Sequence, residues 1–151
     1  MKMVFRFPLQ SVLRLRRSVE NQEEKKLHLI VLAAERVRFQ MQRLQDAASR
    51  ERQSQIEELA SGFVAGAMLQ FHAMCEERRQ VLQKEWGKRL AEIEAKRLAQ
   101  VGRYLEARKR REILEGLRDR QKVEYEKEFA KREQQRMDEA FLIRKLRGES
   151  Q

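Results

Sequence analysis

Apolar residues recur along the first third of the chain with the spacing of a coiled coil. Alternating steps of four and three residues from Leu9 to Ala48 give twelve positions, of which nine are apolar. Such a stripe occupies one face of an α-helix and is typical of helices that pair side by side. The exceptions are three consecutive positions of the stripe, Arg16, Glu20 and Glu23. Val12, Leu15 and Val19 form an alternative apolar stripe, in a shifted register, across this polar gap.

Two further signals indicate where this helix begins and ends. Pro8 suits the first turn of a helix, where its missing N–H would be unpaired anyway, so we expect the helix to begin at about residue 8. Between Ile56 and Leu69 the apolar spacing breaks, and Ser61-Gly62 followed by Gly66 supplies a helix stop and a left-handed residue. We therefore expect the chain to reverse over about residues 59–67, with room for a short helix inside the reversal.

A second apolar stripe follows the reversal. Its members are Met68, Phe71, Cys75, Leu82, Trp86, Leu90, Ile93, Val101, Tyr104 or Leu105, Ile113, Leu117, Tyr125, Phe129, Met137 and Phe141. The two stripes predict an all-α fold, a long antiparallel two-helix coiled-coil hairpin that forms a single domain over residues 1–151. Helix 1 is expected at about 8–58, helix 2 at about 68–146, and a disordered tail at about 147–151. Direct pairing at the turn would leave helix 2 unpaired beyond about residue 115, whereas a looser turn or a short intermediate helix would reduce this overhang. Glycines 87, 102 and 116 are expected to destabilise helix 2 locally without ending it.

Composition supports long helices over a compact globule. Charged residues make up 38% of the chain and aromatic residues only 7%, too few large apolar groups for a spherical core. No apolar run approaches the length that spans a bilayer, and polar residues interrupt any secretory signal. The arginine-rich start resembles a mitochondrial presequence, but its apolar spacing continues past residue 40. The single cysteine, Cys75, excludes an internal disulfide and fits a reducing cytoplasm.

No pattern in the sequence indicates catalysis. The segment "GFVAGAM" has two glycines but lacks the lysine of a phosphate-binding loop. His28 and His72 lie on different predicted helices without the companions of a metal site, and Cys75 has no assignable base. We therefore expect no enzyme activity, no cofactor and no metal.

The formal net charge of +10 is spread along the whole chain, with a local run of four bases at Arg108 to Arg111. Acidic residues recur among these bases, unlike the basic region of a DNA-binding zipper. A solvated helix face and a surface that docks against an acidic protein both account for the charge. Nucleic acid is not an expected partner.

Three segments together resemble the flagellar FliJ family. They are "FRFPLQSVLRLRRSVENQEEKKL" at the amino terminus, "GAMLQFHAMCEERRQVL" after the reversal and "REQQRMDEAFLIRKL" near the carboxy terminus. The resemblance implies a cytoplasmic component of the flagellar type III export apparatus that associates peripherally with the membrane at the flagellar base. It also implies a coiled coil similar to the stalk of rotary ATPases. The implied partners are the hexameric export ATPase, the cytoplasmic region of the membrane export gate, and export chaperones.

The resemblance places ATPase-ring contacts at the paired termini, and mutual packing of the two helices is the alternative role for the apolar members. The expected ring contacts are Phe5, Phe7, Leu9, Leu13, Arg16, Arg136, Met137, Asp138, Glu139 and Phe141. The expected export-gate contacts are Met41, Leu44, Met68, Phe71 and Met74. Packing between the helices is again the alternative for each of these.

Three other interpretations remain open from the sequence. A stalk protein of a virulence injectisome would have the same physical properties. A basic scaffold coiled coil would self-associate into long assemblies, and a nucleic-acid-binding protein would show affinity that falls steeply with salt.

Overall fold

The computed structural model describes residues 4–62 and 65–149, and these residues form two long α-helices. Helix α1 spans Gln10–Ala60 and helix α2 spans Gly66–Glu149. No strand occurs in the described ranges. The two helices pack against each other, which confirms the predicted all-α helical hairpin.

The start of α1 is organised by a turn at Pro8 and Leu9. The N–H of Gln10 donates to the carbonyl of Phe7 at 3.1 Å, and the N–H of Leu13 donates to the carbonyl of Leu9 at 2.9 Å. The regular helix therefore begins two residues after the proline. Residues 4–7 are not helical. A non-helical residue can extend along a neighbouring helix by more than the 1.5 Å by which a helical residue advances.

The chain reverses immediately after Ala60. The N–H of Gly62 donates to the carbonyl of Leu59 at 3.2 Å, and the Ser61 hydroxyl donates to the carbonyl of Glu58 at 2.6 Å. Gly62 has a φ of 82°, in the left-handed region that glycine adopts without a Cβ clash. The next helix begins where the carbonyl of Ala65 accepts the N–H of Met68 at 3.0 Å.

The short helix expected inside the reversal does not occur at its described residues 61, 62 and 65. Phe63 and Val64, which fall in the expected segment, lie outside the described residues. The connection is shorter than expected because the capping bonds at Ser61 and Gly62 close α1 within two residues.

Helix α2 is continuous through Gly87, Gly102 and Gly116. It also includes residues 147–149, whereas the sequence predicts a disordered tail from residue 147. Residues 150–151 of that predicted tail lie outside the described residues. The helix extends because no residue before Gly148 breaks it, and Arg147 places a positive charge in the last turn, where the helix dipole favours it.

The contacts divide the hairpin into two units, each of which is antiparallel. The first unit comprises residues 4–21 and 106–149, and within it Phe5 meets Tyr125, Arg17 meets Glu115 and Glu20 meets Arg111. Its buried apolar residues are Phe7, Leu13 and Ala107. In the second unit, residues 22–105, Glu23 meets Gln100, Arg38 meets Glu94 and Glu51 meets His72. Its buried apolar residues are Ala34 and Val37.

Pairing in the first unit extends further along α2 than the expected limit near residue 115. The Phe5 and Tyr125 ring centroids lie 5.5 Å apart, and half-buried residues continue to Phe129 and Glu133. The expectation was wrong because it counted helical pairing alone, whereas the non-helical residues before α1 also pack against α2. Every residue from 134 to 149 is exposed.

Candidate docking surfaces

The last sixteen described residues of α2, 134–149, form what we call the C-terminal overhang. Its exposed large apolar side chains are Met137, Phe141, Leu142, Ile143 and Leu146. Successive residues of an α-helix are rotated by about 100°, so these five side chains project around most of the helix circumference. A helix that is apolar all round is typical of a buried helix, not of one in water. The overhang therefore has the surface of a helix that a partner encloses on several sides.

Charged residues are interspersed with the apolar residues of the overhang. Arg136, Asp138 and Glu139, all predicted ring contacts, are exposed. Arg136 donates to Glu133 at 3.5 Å, within its own helix. Met137 and Phe141 belong to the apolar stripe predicted from the sequence. Leu142, Ile143 and Leu146 do not, because they lie off the single stripe that a coiled-coil pattern follows.

The predicted ring contacts before and within α1 divide into packed and accessible residues. Phe7 and Leu13 are buried, and Leu13 is 0% exposed, so their side chains pack inside the first unit. Phe5 and Arg16 are half-buried, with Phe5 against Tyr125. Leu9 is exposed. Among the apolar members, Leu9 and part of Phe5 remain accessible to another protein.

The predicted export-gate contacts lie in two separate places within the second unit. Met68, Phe71 and Met74 are exposed on the first turns of α2. Met41 and Leu44 are half-buried on α1. Arg38, about one turn before Met41, pairs with Glu94, which lies roughly 30 Å of helix beyond Met74. The structure does not bring the two groups together.

A polar cluster in the first unit explains part of the gap in the apolar stripe of α1. Arg111 donates to the Glu20 carboxylate through two of its nitrogens and to Glu115 at 2.6 Å. Arg17 donates to Glu115 through Nε at 3.2 Å and Nη2 at 2.9 Å. Hydrogen bonding to Glu20 raises the pKa of Arg111, and hydrogen bonding from Arg17 lowers the pKa of Glu115. The gap is therefore filled by ion pairs between the helices.

Gln100 plays the corresponding role in the second unit, where it is the buried polar residue of the described chain at 4% exposure. Its amide donates to the backbone carbonyl of Glu23 at 3.1 Å and to the Glu23 carboxylate. This bond lowers the pKa of Glu23. The sequence pattern located Glu20 and Glu23 but did not reveal their partners, which are remote in sequence.

Three of the four basic residues at 108–111 form ion pairs. Arg108 pairs with Glu112 at 2.9 Å and Arg110 with Glu106 at 3.1 Å, both one turn away on α2, while Arg111 binds Glu20 on α1. These contacts support the interpretation of a solvated helix face over that of an open anion-binding patch.

In the part of the chain that the structure describes, neither helix contains a segment long and apolar enough to cross a membrane. Over residues 4–62 and 65–149, no group of three or more histidine, cysteine, aspartate or glutamate side chains is suited to hold a metal ion.

A known protein family matches this chain. The model of the flagellar FliJ protein family matches residues 5–150, nearly the whole chain. No curated protein and no solved structure gave a significant match.

Proposed function

Since the chain belongs to the flagellar FliJ protein family, whose members are non-enzymatic components of flagellar protein export, we propose that it acts as a stalk in the ring of the export ATPase. In this role it couples the ring to the membrane export gate and assists export chaperones. It works as an adaptor, and the chemistry belongs to the ATPase.

The observation that carries this proposal is the distribution of apolar side chains on the C-terminal overhang. Met137, Leu142 and Ile143 project in different directions from an otherwise exposed helix. A flat partner surface could cover only one of these directions, whereas the pore of a ring surrounds a helix. Burial in such a pore would remove all of this apolar surface from water, at about 25 cal/mol per Å².

The charged residues of the overhang indicate which side chains should line the pore. Arg144, Lys145 and Arg147 concentrate positive charge in its last turns, next to the exposed Phe141 and Leu142. A pore with an apolar wall and acidic groups at the depth of these bases would complement it. The accessible Leu9 and the exposed part of Phe5 would supply further contacts from the amino-terminal side.

The same proposal assigns the reversal end to the export gate. Met68, Phe71 and Met74 expose flexible or aromatic side chains on consecutive turns, which suits an adaptable protein contact. Met41 and Leu44 are a separate candidate surface because they lie far along α1 from these three. A complex with the gate would hold the chain in the cytoplasm, peripherally at the membrane of the flagellar base.

ATPase turnover of the cognate export ATPase, measured with and without this protein, tests the ring proposal. The wild-type chain should raise turnover and co-migrate with the ring. Met137→Asp combined with Phe141→Asp should abolish most of the stimulation, because each carboxylate would be desolvated in the pore.

Leu98→Asp is the matched control, since Leu98 is as exposed as Phe141 but lies in the second unit. It should stimulate like the wild type, and circular dichroism should show equal helicity in all three proteins. An unchanged turnover with the wild-type chain, together with no co-migration, would remove the stalk hypothesis.

A further inference from the structure

The C-terminal overhang, residues 134–149, differs in charge from the chain as a whole. It holds four basic and three acidic residues, so its net charge is close to zero, whereas the whole chain carries +10. Every one of its residues is exposed, including Phe141 at 66% and Leu142 at 56%. Net repulsion therefore does not keep two overhangs apart, and each of them leaves apolar surface in water.

Two opposite charges of the overhang, Asp138 and Lys145, lie on the same side of the helix. They are seven residues apart, which is two helical turns or roughly 10 Å, too far for them to pair with each other. Among the residues that the structure describes, neither forms an ion pair. Because successive residues are rotated by about 100°, Phe141 and Leu142 project to either side of the two charges. We call these four side chains the overhang patch.

The end of the hairpin defines how two antiparallel overhangs can overlap. Half-buried residues continue along α2 to Glu133, so the fully exposed helix begins at residue 134. Two antiparallel copies that overlap over their whole overhangs place residue 134 of one beside residue 149 of the other. In this register Asp138 of each copy lies level with Lys145 of the other, and Phe141 and Leu142 meet at the centre. The overlap that the hairpin allows is therefore the overlap that the charges favour.

The same charges disfavour a parallel arrangement, which would place Asp138 against Asp138 and Lys145 against Lys145. Pairs of opposite charge between helices determine the orientation in which coiled coils associate. Arg136 and Arg144 project more than about 100° around the helix from the centre of the overhang patch. In the antiparallel pair these two arginines face water, so they do not oppose the contact.

We propose that the free chain forms a reversible antiparallel dimer through the overhang patch. Each copy contributes the same four side chains about a two-fold axis between residues 141 and 142, with an Asp138–Lys145 pair on either side of an apolar centre. A two-fold interface closes on itself, so it gives dimers and not the long assemblies of a scaffold coiled coil. Two helices of this length bury less than the roughly 1,000 Å² of a stable interface, so the dimer dissociates readily.

The dimer covers Phe141 and Leu142 while no other protein binds the overhang. Dimer formation and insertion of the overhang into the ATPase ring exclude each other, a consequence that rests on the proposed function. The dimer itself does not depend on the ring. It is tested on the isolated chain, so its failure and the failure of the stalk proposal are distinguishable.

Sedimentation velocity of the full-length chain, from about 1 μM to about 200 μM, tests the dimer. The wild type should change from monomer to dimer within this range. Asp138→Lys places two bases level with each other, and Lys145→Asp places two acids there. Either single variant should raise the dissociation constant about tenfold. The double variant restores pairs of opposite charge, so its constant should return to within about threefold of the wild-type value.

Glu128→Lys is the matched control for Asp138→Lys, because it changes the net charge equally at an exposed site of α2 outside the overhang. It should dimerise like the wild type, and circular dichroism should show equal helicity in all variants. A wild type that stays monomeric throughout the range overturns the proposal, as do assemblies that grow beyond dimers. Equal weakening by Glu128→Lys, or no recovery in the double variant, overturns it as well.

Discussion

Leu13 and Leu15 are two residues apart in the same helix, yet Leu13 is 0% exposed and Leu15 is 61% exposed. The sequence offered two registers for this part of α1, one through Leu9 and Leu13 and the other through Val12, Leu15 and Val19. The structure selects the first, in which a later polar position, Glu20, meets Arg111. The register is therefore decided by which polar side chains find partners across the two helices.

Truncation of these two leucines should separate a core residue from a surface residue of the same type. Leu13→Ala should lower the free energy of unfolding by about 2–3 kcal/mol, because it removes fully buried methyl groups from a narrow core. Leu15→Ala, the matched control, should change it by less than about 0.5 kcal/mol. Urea denaturation followed by circular dichroism measures both. Equal losses in the two variants would contradict the register seen in the structure.

At the scale of the element, glycine contributes to the end of one helix but is accommodated inside the other. Helix α1 ends where Gly62 adopts a left-handed conformation and Ser61 caps the last turn. Helix α2 continues through three glycines. At Gly102 the backbone is helical, and the space that a Cβ atom would occupy is open. Glycine ends a helix only when capping bonds and a change of direction accompany it.

Alanine substitution at the two kinds of glycine should have opposite effects. Gly62→Ala should destabilise the protein by about 1 kcal/mol, because a Cβ is strained at positive φ although the space is open. Gly102→Ala should stabilise it by about 0.5–1 kcal/mol, because alanine is the better helix former at an exposed helical site. Thermal melts of both variants test this. A shift in the same direction for both would refute the assignment of Gly62 as the helix stop.

At the scale of the whole molecule, ion pairs stabilise both units while the net charge opposes compaction. The pKa of Glu115 in the first unit is lowered by hydrogen bonding from Arg17, and the pKa of Glu94 in the second is lowered by hydrogen bonding from Arg97. Glu23 shows the same direction through Gln100. A lowered pKa means that the folded state favours the charged carboxylate, so these contacts contribute fully above the ordinary glutamate value of 4.5.

Stability should therefore fall in acid. As the pH drops below 4.5 and through the lowered pKa values, the three carboxylates are protonated, their contribution is lost, and the net charge rises above +10. The urea midpoint at about pH 3 should lie below that at pH 7. The combined variant Glu23→Gln, Glu94→Gln and Glu115→Gln should show a smaller drop, and a drop of full size would assign the acid sensitivity to other carboxylates.

The candidate contact residues could be predicted from the sequence only where the local spacing of apolar residues indicates that a side chain is exposed. The exposed Met137, Phe141, Met68, Phe71 and Met74 were all recognised as large apolar residues near a terminus or the reversal. Their roles in binding the ring and the gate remain predictions. The pattern could not distinguish the buried Phe7 and Leu13 from the exposed Leu9, because burial depends on the opposite helix.

The sequence by itself determined that the protein is two paired helices with one reversal, because apolar periodicity and the Ser61-Gly62 stop act over a few neighbouring residues. It also carried enough of the family pattern to identify the flagellar export family. Only the tertiary structure decided how far Phe5 extends the pairing along α2 and which carboxylates surround His72. These features join residues that are distant along the chain, and no local pattern specifies which distant side chains meet.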